Sequence, residues 1–322
     1  MRHKGGPRLL VTDRDSALYL ERARIHVEHD RIVYDAADDD MRREFNIPHV
    51  NLAVLFLGQG TSITQDAMRM LGEESVHVAF TGSGGSPMHM GALTTYSGTD
   101  HFRRFLPIYL DERRSLPAAI AVMRDRIERM RKIGSDLILK HLKQRDLTPI
   151  MQACSTFERK LQDAQDISQL LGFEGQFTKA CYKSFAIISG LSREGEFKRE
   201  AGSGADTPIK GDPILRINKL IDHGNYLCYG MAGAGLWALG IPPHLSVFHG
   251  KTRAGGLVFD LADSFKDSIV LPCAFASLRD KENHDNIFRA RIIDAFNDKK
   301  ILSAAIDTVN GMLLAGSTGE VL

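Results

Sequence analysis

The feature that most constrains the fold is a change of hydrophobic period near residue 103. Before it, apolar residues alternate or run in short aliphatic stretches; after it they recur every three or four residues over long segments. The first pattern suits one face of a pleated strand and the second one stripe of a helix. An α+β chain is therefore predicted: a small β-rich domain over 1–102, then a larger helical domain over 103–322.

Within the first part, 9–12, 17–20, 24–27, 31–34, 52–57 and 76–80 are short runs rich in aliphatic and β-branched residues, separated by turn residues. A short helix follows 61–64, with a Ser or Thr to cap it. Helices are predicted over 116–133, 150–165, 167–189, 213–239, 257–270 and 286–314, the last broken near its middle. Asp212, Pro213 and Gly240 punctuate the fourth at its two ends. Residues 193–211 are charged and Gly-rich and read as an exposed loop.

Composition narrows the class of protein but not its activity. Of 322 residues, 43% are hydrophobic and 25% charged, as in a soluble globular protein. No apolar run approaches the roughly 18 residues of a membrane span, and residues 1–5 lack a secretory pattern. A cytoplasmic protein with no membrane contact is expected. Cys154, Cys181, Cys228 and Cys273 are widely spaced and fit neither a zinc ribbon nor a disulfide framework. The net charge is +1, yet residues 113–160 hold twelve Lys/Arg against five Asp/Glu, a local excess of +7. That excess reads equally as a phosphate-binding surface or as solvated helix faces. Arg124, Arg131 and Lys132 within it, and Lys251 and Arg253 beyond it, are the candidate phosphate contacts.

Three positions carry candidate chemistry. Glu174 lies on the same helical stripe as Leu170, Phe177, Cys181, Phe185 and Ile188, where a carboxylate needs a cation or donor. Asp260, Asp263 and Asp267, at i, i+3 and i+7, share one face of the predicted 257–270 helix and repel one another. His249 ends an apolar run just before that helix. Taken singly, each has a plainer reading: an edge Glu, a solvated acidic first turn, a structural His. Together they offer oxygen-rich ligands with one nitrogen, which suits Mn²⁺ and tolerates Mg²⁺. Gly250-Lys251-Thr252 does not complete a phosphate-binding loop, because Leu245 stands where that motif needs Gly. Gly230, Gly233 and Gly235 sit inside a helical segment, where close packing explains them better than dinucleotide binding.

Several stretches together resemble the CRISPR-associated integrase family of spacer acquisition (the Cas-one family). Leu170-Leu171-Gly172-Phe173-Glu174-Gly175 with Tyr182 is similar to its L-x-G-x-E-G … Y segment, and Asp222–Leu227 to its D-x-x-N-x-L helix. Gly240-Ile241-Pro242-Pro243 resembles its G-L-x-P turn. His249 followed by 257–266 resembles its H … L-v-x-D-L-x-[DE] signature, and 57–64 its L-G-x-G stretch. These matches occur in family order from about residue 52 to 267. The resemblance implies metal ligation by Glu174, His249 and Asp263, with Asp260 a nearby acid of open role. It implies a homodimer that joins captured DNA fragments into a CRISPR repeat by 3′-hydroxyl attack and cleaves double-stranded and branched DNA. It also implies a companion adaptation protein; the pattern looks closest to the I-F subtype, where that partner is fused to the interference helicase–nuclease. Lys266 and Asp267 stand where many members carry Arg and Pro. Two rival readings stay open: a catalytically silent DNA-binding scaffold, and a phosphohydrolase of small nucleotides.

Overall fold

The computed structural model describes residues 14, 16–38, 41–49, 51–81, 88–90, 98–200, 212–250 and 255–318. Its first part contains β1 (Ser16–Leu20), β2 (Ala23–Glu28), β3 (Arg31–Asp38), β4 (Met41–Asn46), β5 (Leu52–Leu57) and β6 (Ser62–Ile63). Helix α1 (Gln65–Glu73), β7 (His77–Phe80) and β8 (Met88–Met90) follow. One sheet has the order β1-β5-β7-β8, parallel except at its β7/β8 edge. The other has the order β4-β3-β2-β6, antiparallel except at β2/β6.

All six residues of β5 are buried, and its alternation serves two cores. Leu55 and Leu57 meet Ile25 and Ile32 of the second sheet and Ala67 and Leu71 of α1. Val54 and Phe56 point the other way, into the helical core. The first strand predicted, over 9–12, lies outside the described residues, as does most of the turn at 81–87. The charged β4 was not predicted, because an edge strand with exposed Glu44, Phe45 and Asn46 has no buried face to impose alternation.

The second part contains α2 (Asp100–Leu110), α3 (Glu112–Arg129), α4 (Ser135–Leu137), α5 (Thr148–Asp163), α6 (Ile167–Ser189) and α7 (Pro213–Ala238). It ends with α8 (Gly256–Asp263), α9 (Lys266–Ala276), α10 (His284–Asp298) and α11 (Ile301–Thr318). The α+β fold is thus as the change of period predicts. Asp166 caps α6 through Gln169 N and Gly190 closes it at φ 78°, so its bounds are those predicted. Asp212 caps α7, which crosses β5 where Gly230 lies. A Cβ there would come within 2.4 Å of Phe56, so the close-packing reading of this glycine holds. All four cysteines are free and buried.

One expectation needs correction. The single helix over 257–270 is two helices, α8 and α9, broken at Ser264 and Phe265. Arg129 donates to Ser264 Oγ at 2.6 Å, Ser264 donates to Leu261 O at 2.8 Å, and Phe265 leaves helical geometry at φ −139°. The described part of the 193–211 segment is a largely exposed loop, as predicted, anchored at two residues. Arg199 pairs with Asp222, and Phe197 packs its ring against Tyr182 and Phe275. The break predicted near the middle of 286–314 falls at Lys299 and Lys300, between α10 and α11.

Candidate metal centre

The approach to α8 is organised by one carboxylate. Asp260 is fully buried and accepts from Ser246 Oγ (2.9 Å), Val247 N (2.8 Å), Phe248 N (3.2 Å) and His249 N (3.0 Å). His249 Nδ1 lies 2.8 Å from the same group and donates to it. Five donors leave Asp260 little capacity for a cation, so its role, open from sequence, is to hold the 246–249 turn and the imidazole. Gly256 permits this closeness, since a Cβ there would stand 2.5 Å from the Cβ of Ser246. With Nδ1 committed, His249 turns Nε2 toward Asp263 Oδ2, 3.4 Å away.

Asp263, one turn beyond Asp260, is equally buried but bonded quite differently. No backbone amide or hydroxyl donates to its oxygens; the Lys266 ammonium contacts Oδ1 and His249 stands beside Oδ2. Burial opposes the Lys266 charge, but Asp263 outweighs it and raises the lysine pKa above its ordinary value. A buried carboxylate without donors is costly unless a cation compensates it.

Glu174 reaches the same region from α6. Arg126 of α3, only 2% exposed, donates to Glu174 Oε1 at 2.6 Å and to Asp267 at 3.1 Å through Nε. Thr178 Oγ1 donates to Glu174 at 2.7 Å. Burial alone would raise the Glu174 pKa, but Arg126 and Thr178 hold it down at about 2. The break after Asp263 turns Asp267 to Arg126, so the shared acidic face expected of Asp260, Asp263 and Asp267 does not form.

The structure therefore gathers Glu174, His249 and Asp263 around Arg126 and Lys266, with Asp260 behind the histidine. Their ligand atoms do not all lie within 4.8 Å of one another, because Glu174 is drawn to Arg126. The donor set nonetheless fits a divalent cation: an oriented imidazole nitrogen faces a buried carboxylate that no backbone amide or hydroxyl satisfies. Sequence reasoning missed Arg126 and Lys266. Arg126 occupies a buried position on the same helix as Met123 and Ile127, and a basic residue there is the complement that Glu174 required.

The basic segment also changes character. Arg126 and Arg129 are structural, the latter donating to Ser264 Oγ and Ala304 O. Arg131 pairs with Glu158 and Lys132 with Glu128, whereas Arg124 is exposed and makes no ion pair with the described residues. Arg124, Arg131 and Lys132 line one groove of about 420 Å³. Lys251 and Arg253 lie outside the described residues.

Residues 9–305 match the family described as CRISPR associated protein Cas1. The chain belongs to the Cas1 family. The CRISPR-associated endonuclease Cas1 of Pseudomonas aeruginosa (strain UCBPP-PA14) is 37% identical over 316 residues, covering 94% of this chain and 93% of that protein. Among solved structures, a TtCas1–DNA complex has a TM-score of 0.67 at 22% identity, covering 92% of this chain and 91% of that one. A casposase bound to integration product has a TM-score of 0.63 at 16% identity, covering 88% and 82%. At those identities the structures speak for the Cas1 fold alone. The family match spans every motif on which the resemblance rested.

Proposed function

We propose that this chain inserts foreign DNA fragments into a CRISPR array, joining a fragment's 3′-hydroxyl to a phosphodiester of the repeat. Cleavage of duplex or branched DNA is the companion reaction. Glu174, His249 and Asp263 would hold Mg²⁺ or Mn²⁺. The observation that carries this reading is the contrast at α8, where Asp260 fixes His249 so that Nε2 faces Asp263, a buried carboxylate that no backbone amide or hydroxyl satisfies. Family membership supports the class of reaction, and the relatives' names, endonuclease and casposase with integration product, agree with it.

When bound, the ion supplies Lewis-acid polarisation of the phosphodiester and a more acidic nucleophile. The chain's own residues do the rest. Arg126 keeps Glu174 ionised at neutral pH, and Asp260 keeps the imidazole in one tautomer and one orientation. Arg124, Arg131 and Lys132, with Lys251 and Arg253, are the proposed phosphate contacts. The family further implies a homodimer acting in the cytoplasm with a companion adaptation protein, which in the I-F subtype is fused to the interference helicase–nuclease.

The decisive experiment measures joining of a splayed duplex with free 3′-hydroxyls to repeat DNA, with Mg²⁺ or Mn²⁺ and with chelator. Joining is expected with either ion and is abolished by chelator, by His249→Ala and by Asp263→Ala, while the variants fold and bind DNA. Joining retained in either variant overturns the ligand assignment. Binding without joining in the unaltered chain favours a silent scaffold. DNA binding that does not weaken as salt rises favours a small-nucleotide phosphohydrolase.

A further inference from the structure

The β4-β3-β2 face carries a second set of metal-type donors, on elements that supply nothing to the helical centre. In the antiparallel register Asp35 stands directly opposite Glu44, while His26 stands opposite Val33. Period-two alternation puts His26, Glu28, Asp35 and Glu44 on one face, and Ile25, Ile32 and Tyr34 on the other. One ligand atom each from His26, Asp35 and Glu44 lie within 4.8 Å of one another. We infer that His26, Asp35 and Glu44 form a binding site for a divalent transition metal, with Glu28 at its rim.

Three features separate this cluster from a solvated acidic face. Directly opposed like charges destabilise a strand pair, and here Asp35 faces Glu44. Arg24 and Arg31 share the face, yet among the described residues they form no ion pair with these acids. His26 Nδ1 is buried without a hydrogen-bond partner, and its Nε2 lies 3.7 Å from Glu28. One imidazole with two or three carboxylates prefers Zn²⁺, Co²⁺, Ni²⁺ or Mn²⁺ to Ca²⁺. An ion held there would pin β4, an edge strand, onto β3 and β2.

The test uses the untagged full chain carrying His249→Ala and Asp263→Ala, so that the helical centre does not compete. Calorimetric titration with Zn²⁺ is expected to give one site per chain, and Zn²⁺ to raise the melting temperature. His26→Asn and Glu44→Gln should each weaken that affinity by about 10–100-fold and remove the thermal shift. Glu44 is exposed on an edge strand, so Glu44→Gln gives a reading even where His26→Asn impairs folding. No binding in the double variant, or unchanged affinity after Glu44→Gln, overturns the inference.

Discussion

The last turn of α8 places two buried carboxylates, Asp260 and Asp263, in opposite circumstances. Around Asp260 the 246–249 turn supplies five donors, and the charge is spent on holding the backbone and His249. Around Asp263 no backbone amide or hydroxyl donates, and its charge meets the Lys266 ammonium and His249. Both residues are 0% exposed, so burial does not distinguish brace from ligand; the count of satisfied lone pairs does. A carboxylate saturated by donors is architecture, while one that faces only cations is available for chemistry.

The largest expected break in this comparison comes from Asp263→Asn. It keeps the shape and removes the charge, so joining should fall ~10³–10⁴-fold, the loss of several kcal/mol of transition-state stabilisation. In a Glu44→Gln background, which removes the strand site, the rise in melting temperature that Mn²⁺ gives should vanish as well. A variant that still gains stability from Mn²⁺ would move the ligand elsewhere.

Next is Arg126→Met, which leaves Glu174 and Asp267 without their shared cation. Breaking a buried pair in this way costs about 3–5 kcal/mol, readable as a shift in the urea midpoint. Arg126→Met with Glu174→Gln and Asp267→Asn should recover most of that loss. Failure to recover would mean that the guanidinium acts mainly by packing against Phe177, over whose ring it lies at 5.2 Å.

A neutral group tests the rule from the other side. His223 Nε2 is also buried without a partner, between the rings of Tyr19 and Phe288. Burial lowers its pKa from 6.5 to about 4, with Arg289 adding to the effect. The folded chain therefore resists a proton that the unfolded chain accepts, and stability is lost as pH falls from about 6.5 to about 4. The full shift corresponds to roughly 3 kcal/mol. His223→Phe should flatten the melting temperature across that window, and an unchanged slope would assign the loss to His141, whose pKa burial also lowers to about 4.

These contrasts explain what was legible in the sequence. The bounds of α6 and the start of α7 were readable because Asp166, Gly190, Asp212 and Pro213 are local signals. Glu174 was visible as an anomaly on an apolar stripe. What sequence hid was long-range: Arg129 reaches Ser264 across 135 residues, and the apolar recurrence Leu257, Leu261, Phe265, Ile269 runs unbroken through the break it helps make. The separate roles of Asp260 and Asp263 depend on which donors surround each, and spacing along α8 carries none of that.

Asp260→Asn sharpens the brace assignment at smaller cost. The amide cannot accept from all five donors, so the 246–249 turn should loosen by about 1–3 kcal/mol even without metal. Joining should drop ~10–100-fold as His249 loses its orientation. The informative readout is a rise in the Mn²⁺ concentration for half activity, with the maximal rate at saturating Mn²⁺ largely restored. A maximal rate that stays low at saturation would instead make Asp260 part of the reacting group.

The same distinction orders the groove lined by Arg124, Arg131 and Lys132. Arg131 and Lys132 already face Glu158 and Glu128, while Arg124 is exposed without an ion pair among the described residues. An arginine already paired must give up a partner to meet phosphate, and an unpaired one loses only water. Arg124→Ala should therefore weaken duplex binding by a few-fold and reduce the log–log salt slope by about one. Arg131→Ala should cost less, because the loss of a phosphate contact is partly offset by not having to break the Glu158 pair. Equal losses from the two would show that exposed ion pairs here are too weak to bias DNA contact, as the ~0–1 kcal/mol typical of such pairs allows. The rule of satisfied charges would then hold for buried groups alone.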